Sequence, residues 1–112
     1  MAIPINRIVT TAYFPGREIG ESLGIVGAEC VLGINIFKDI MGGIRDIVGG
    51  RSGTHQEALR KARETCIAEL AAEAAEAGAD AVVSVEFDYS EFSGNKGGMI
   101  ILAGYGTAVR FK

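Results

Sequence analysis

The stretch from Thr54 to Gly78 limits the fold more than any other part of the chain. Ala, Leu, Glu, Arg and Lys, strong helix formers, dominate it. Thr54-His-Gln-Glu57 has the form of a capping box. In that motif the threonine hydroxyl accepts from the Glu57 backbone N–H and the Glu57 carboxylate reaches back. Gly78 suits the C′ position, where a left-handed backbone ends a helix. The spacing predicts about 24 helical residues, about 36 Å long. Leu59, Ala62, Cys66, Leu70, Ala74 and Ala77 share one face and are expected to meet a sheet. Glu57, Lys61, Glu64, Ala68, Ala72 and Ala75 lie on the far side, where alanine lets a neighbouring element approach closely.

Strand-like segments stand on both sides of this helix. Residues 7–14 are β-branched and aromatic and read as a strand, followed by the turn signal Pro15-Gly16. Residues 17–33 continue as one or two extended segments, with Gly20, Gly24 and Gly27 marking bulges or bends. Ile36, Phe37, Ile40, Ile44, Ile47 and Val48 follow helical spacing, which predicts a helix over 36–48 notched by Gly42-Gly43 and stopped by Gly49-Gly50. Beyond Gly78, residues 81–90 alternate cleanly. Val83, Val85, Phe87 and Tyr89 point one way; Ser84, Glu86 and Asp88 point the other. A loop over 93–98 leads to a last strand over 99–111. Its Met99-to-Phe111 face and its Ile100-to-Ala108 face are both apolar or small, so the strand is expected to be covered twice. The helix covers one face. A second copy of the chain or the N-terminal hairpin covers the other.

Bulk composition narrows the class. The 112 residues suit one domain spanning 1–112, large enough to bury a core. Eleven Lys and Arg against 14 Asp and Glu leave a net charge of −3, which argues against a dedicated nucleic-acid binder. No run reaches the ~18 apolar residues of a membrane span, and the first residues lack the pattern of an export signal. Cys30 and Cys66 form no CxxC pair, so they read as reduced thiols of a cytoplasmic protein. The 16 glycines sit singly or in pairs among Ile, Val and Leu, which marks tight turns and close backbone approach rather than a linker.

The string Gly33-Ile-Asn-Ile-Phe-Lys-Asp-Ile-Met-Gly-Gly-Ile-Arg-Asp-Ile-Val-Gly-Gly-Arg-Ser-Gly53 closely resembles the YbjQ-like family. Leu59 with Ala62-Arg63, Gly78-Ala-Asp-Ala-Val82, Asp88-Tyr89 and Gly106-Thr-Ala-Val109 continue the match over nearly the whole chain. These are small bacterial and archaeal proteins catalogued as uncharacterised or as candidate heavy-metal-binding domains. The resemblance implies an α+β fold: a two-layer βαββ core, dodecin-like, preceded by an N-terminal β-hairpin. It also implies a homo-oligomeric ring, a pentamer, with the chain itself as partner. It implies no established activity.

Three kinds of chemistry compete with plain packing. A soft metal ion, the one cofactor suggested, needs converging thiolates and imidazoles. Cys30, His55 and Cys66 are the available ligands, but Cys66 sits mid-face among apolar residues and His55 lies nearly three turns away. Structural cysteines are the stronger reading, and only neighbouring copies could complete a site. An anion or small ligand is the second candidate. Gly49-Gly50-Arg51-Ser52-Gly53-Thr54, with Arg45 nearby, offers backbone N–H groups ahead of a helix N-terminus, though without the Walker A ending. The helix is also basic early (Arg60, Lys61, Arg63) and acidic late (Glu69, Glu73, Glu76), against its dipole. Pairing between subunits, or Glu57–Lys61 and Arg60–Glu64 pairs on a solvated face, explains that order better than an anion does. Catalysis is the weakest reading, since the lone histidine has no nucleophile beside it. The sequence therefore points to an oligomeric binding module with its ligand at subunit interfaces, or to an assembly protein without one.

Overall fold

The computed structural model describes residues 2–33, 51–94 and 97–112. A 3₁₀ turn at Ile5–Arg7 precedes strand β1 (Ile19–Gly33), helix α1 (Arg51–Glu76), strand β2 (Ala81–Gly94) and strand β3 (Gly97–Phe111). The three strands form one antiparallel sheet in the order β1-β3-β2, with α1 packed on one face. The expected βαββ order is present. The helix expected over 36–48 lies outside the described residues.

Helix α1 docks through a four-residue repeat. Ala58, Ala62, Cys66, Leu70 and Ala74 are buried, joined by Ala71. Leu59 is only half-buried and Ala77 is exposed, so the docking stripe begins one residue earlier than expected and ends at Ala74. The small side chains let the helix lie close to β1. The sheet replies with Val26, Ala28, Val82, Val85, Leu102 and Ala108. Burying each Val or Leu here stabilises the fold by roughly 1.5–3 kcal/mol. Among the described residues, α1 is not long and apolar enough to cross a membrane.

The end of α1 follows the sequence signal closely. Gly78 has φ +78, the Gly78 N–H donates to the Ala75 carbonyl (3.0 Å) and the Ala79 N–H to the Ala74 carbonyl (2.9 Å). Those two bonds are the Schellman pattern, and they satisfy carbonyls the helix leaves over. Arg110 Nε donates to the Gly78 carbonyl (2.9 Å), and Asp80 Oδ2 accepts from the Phe111 N–H (2.8 Å). The turn is thus tied to the far end of β3.

The start of α1 does not follow the capping signal. The helix includes Arg51, Ser52, Gly53 and Thr54, so Thr54 is an interior residue and not the N-cap. Arg51 is a good helix former and one glycine costs only about 1 kcal/mol, so the turn ahead of the capping-box motif stays helical.

Strand β2 carries a bulge that its sequence conceals. Val83 pairs with Thr107, but the next pair is Glu86 with Tyr105. Ser84 has φ +56, a left-handed backbone on a non-glycine residue, and it absorbs the extra position. Val83 therefore faces away from the helix while Val85, Phe87 and Tyr89 face toward it, splitting the single apolar row the alternation suggests.

The N-terminal segment is not the expected strand over 7–14, and it forms no hairpin ladder with β1. Its strand-like contacts are single bridges, Ile8 with Val82 and Phe14 with Arg17. The reason is the same bulge. Val9 donates to the Val82 carbonyl (2.9 Å), Val85 to the Val9 carbonyl (3.1 Å) and Ser84 to the Thr11 carbonyl (2.8 Å), so the segment docks where the β2 edge is distorted and cannot extend as a ladder. It covers one end of the far sheet face, packing Val9 and Phe14 on Ala81, Val83 and Val109. Phe14 and Phe111 stack with centroids 5.0 Å apart, and the Arg17 guanidinium lies 4.2 Å from the Phe111 ring centre.

Candidate functional site

Two places in the fold bear on function: the thiols between helix and sheet, and the uncovered face of the sheet. Cys66 is buried, and its Sγ donates to the Ala28 carbonyl at 3.4 Å. It stands opposite Gly104, where a β-carbon would come within 2.9 Å of Sγ and 2.7 Å of Phe87 Cε1. Cys30 lies on the same helix-facing side of β1, opposite Leu102, and is half-buried against the core. Burial pushes both thiols above their ordinary value of 9.0, and the Glu69 carboxylate adds to the effect. Both are therefore neutral at pH 7.

The third suggested ligand, His55, is on α1, but its side chain is outside the described residues. Its backbone is eleven residues from Cys66, about 16 Å along the helix axis. That is farther than two side chains and two bonds of about 2 Å to a shared ion can span. Among the described residues no group of three His, Cys, Asp or Glu side chains converges to hold a metal. The thiols present do not fit a resident soft-metal centre within one subunit: such a centre takes three or four converging protein ligands, and among the described residues no third His, Cys, Asp or Glu joins Cys30 and Cys66.

The suggested anion loop fares differently in its two halves. Arg45, Gly49 and Gly50 lie outside the described residues. Arg51, Ser52, Gly53 and Thr54 belong to α1 itself, so they do not form a loop ahead of it. The expected ion pairs on α1 are also rearranged: Glu57 reaches Arg60 at 3.5 Å rather than Lys61. A cleft of about 240 Å³ lies between α1 and strands β2 and β3, lined by Leu59, Tyr89, Glu91 and Ile100. It falls below the ~300 Å³ at which small-molecule pockets begin.

The far face of the sheet is the larger feature. Beyond the part under the N-terminal segment, Ile25 is 81% exposed, Val31 53%, Tyr105 47% and Met99 42%. The register puts Ile25, Gly27, Glu29 and Val31 beside Thr107, Tyr105, Ala103 and Ile101, so these side chains form one continuous surface. Glu86 and Asp88 join it from β2, opposite Tyr105 and Ala103, and are exposed. The apolar odd-numbered face of β3 was legible as one needing cover, and the N-terminal segment supplies cover only at the Val109–Phe111 end. The mixed character of this face, apolar with an acidic row, was not singled out from sequence because Glu29 and Asp88 meet only through the register.

The sequence model of a family described as "Putative heavy-metal-binding", the YbjQ family, matches residues 7–112. The chain belongs to the YbjQ family. A crystal structure of a protein of unknown function from Pediococcus pentosaceus, assigned to the DUF74 family, has the same fold, with a TM-score of 0.58. The two share 16% identity, over 94% of this chain and 96% of that one. At that identity the likeness speaks for the fold alone. In this YbjQ-family chain both cysteines are free thiols, Cys30 half-buried and Cys66 buried.

Proposed function

We propose that this chain is the subunit of a homo-oligomeric ring, five copies by the family resemblance, acting as a binding module whose small-ligand site is completed between subunits. What carries the reading is the open sheet face. Ile25 and Tyr105 on one side of its acidic row, and Val31 and Met99 on the other, leave large apolar side chains exposed, and exposed apolar surface of this kind marks association surfaces. The chain also carries charge suited to a second copy of itself. Glu29, Glu86 and Asp88 make the middle of the face acidic, while Arg7 and Arg17 gather around Phe111 at its end and Lys61 and Arg63 stand exposed on α1. Either basic surface of one copy complements the acidic row of another. A head-to-tail contact of that kind closes into a ring when its rotation permits.

Changing Ile25 to Arg tests the face directly. The expected result is a folded monomer, with helical circular dichroism retained and the oligomer lost in sedimentation. An unchanged oligomer removes this face from the interface. A second reading, assembly with no small ligand, is favoured by the small size of the cleft beside Leu59 and Tyr89. Melting curves of the assembled protein with phosphate, nucleotides and Zn²⁺ separate the two, because a ligand of the native state raises the midpoint by mass action. If none of these raises it, the assembly reading stands in place of the binding one.

A further inference from the structure

We infer that soft metal ions are ligands of the unfolded chain and not of the folded subunit, so that they lower the stability of this protein. The reason lies in how Cys66 is used. Its thiol is fully buried, donates to the Ala28 carbonyl and occupies the gap left by the missing side chain of Gly104. A single carbon placed in that gap would already stand 2.9 Å from Sγ. An ion bound at about 2.3 Å, with the rest of its coordination shell, has no room there. On the strand side, Cys30 pairs with Leu102, whose fully buried side chain fills the next row of the sheet. Bringing the two sulfurs onto one ion would require breaking the Cys66–Ala28 hydrogen bond and drawing the Cys66 thiol out of the space opposite Gly104. His55 is too far along α1 to supply a further ligand to Cys66.

Unfolding removes each of these obstacles. The chain then presents Cys30, His55 and Cys66 on a flexible backbone, free to wrap one ion. Each coordinated thiol releases its proton to solvent, as thiolate ligation requires. A ligand that binds the unfolded state better than the native one shifts the equilibrium toward unfolding. The description heavy-metal-binding, applied to this chain's thiols, then refers to the wrong state of the molecule. The inference does not depend on the self-association reading, since it concerns contacts inside one subunit.

The test is thermal melting of the full-length, reduced protein with increasing CdCl₂, together with ultraviolet absorbance for the cadmium–thiolate charge-transfer band. The midpoint is expected to fall by several degrees. The band is expected to be absent from the native protein and to appear in urea. Cys30→Ser with Cys66→Ala should remove most of the fall; Cys66→Val serves if the alanine variant does not fold. A midpoint that rises or stays constant, or a charge-transfer band in the native protein, overturns the inference. The absorbance measurement needs no variant and decides the matter on the wild type alone.

Discussion

The ring of Tyr105 lies over Gly27, its partner on the neighbouring strand: a β-carbon at Gly27 would stand 2.9 Å from Cδ1 and 3.2 Å from Cε1. The aromatic ring thus covers bare backbone and is held flat on the open sheet face, in the manner by which aromatic residues compensate for strand glycines. Gly27→Ala pushes that ring off the sheet. The strand itself gains, since alanine is favoured over glycine in an extended interior by roughly 0.5–1 kcal/mol. The expected outcome is a subunit of equal or higher melting midpoint whose association is weaker by about tenfold, or about 1.4 kcal/mol. Sedimentation equilibrium beside a melting curve checks it. A loss of subunit stability with unchanged association contradicts the role given to Tyr105.

The opposite glycine behaves differently because it faces the helix. Gly104→Ala would set a methyl 2.7 Å from Phe87 Cε1 and 2.9 Å from Cys66 Sγ. Overpacking of this kind costs typically 1–3 kcal/mol. Pairing it with Cys66→Ala, which vacates the space, should recover part of the loss. Denaturant unfolding of the two single variants and the double variant measures the coupling. Purely additive losses would mean that the two side chains do not compete for one space.

The thiols give a pH dependence with a definite sign. Burial raises the folded-state value of Cys30 and Cys66 above 9.0, so between the unfolded and folded values the native state holds more protons than the unfolded one. Stability then falls as pH rises through that window and is independent of these groups below it. Unfolding free energies measured from pH 7 to pH 10.5 should be flat at first and decline above about 9, the decline shrinking in Cys66→Ala. A decline of equal size in that variant would assign the effect to other groups.

At Ser84 the backbone is left-handed, with φ +56, inside the bulge of β2. A β-branched side chain is strongly disfavoured there. Ser84→Val should cost about 1–2 kcal/mol, while Ser84→Gly should be neutral or slightly stabilising. Chemical denaturation of the two variants checks the order. A stable valine variant would mean the bulge moves elsewhere without cost.

These residues also show which parts of the fold could be read in advance. Gly78 was legible because helix termination is local: the signal and the bonds that answer it lie within a few residues. Cys66 was legible as a packing residue because it stands mid-face on a long helix. Ser84 was not, because the alternation from Val83 to Tyr89 runs unbroken in sequence and only the pairing of Glu86 with Tyr105 shows the slip. The strand expected over 7–14 failed for the same non-local reason, since its partner edge is the bulged one. Thr54 misled because a capping-box pattern can occur inside a helix that begins earlier. For the site, the need to cover both faces of β3 was visible in its apolar odd and even positions. The acidic row of Glu29, Glu86 and Asp88 was not, because three residues on two strands come together only through β3.

The exposed sheet face is the proposed intersubunit surface. Native mass spectrometry of the wild-type chain at micromolar concentration, in volatile buffer near pH 7, tests it most directly. The account predicts a single closed oligomer, with a mass five times that of the 11.8 kDa chain by the family resemblance. A spectrum dominated by the monomer would contradict it.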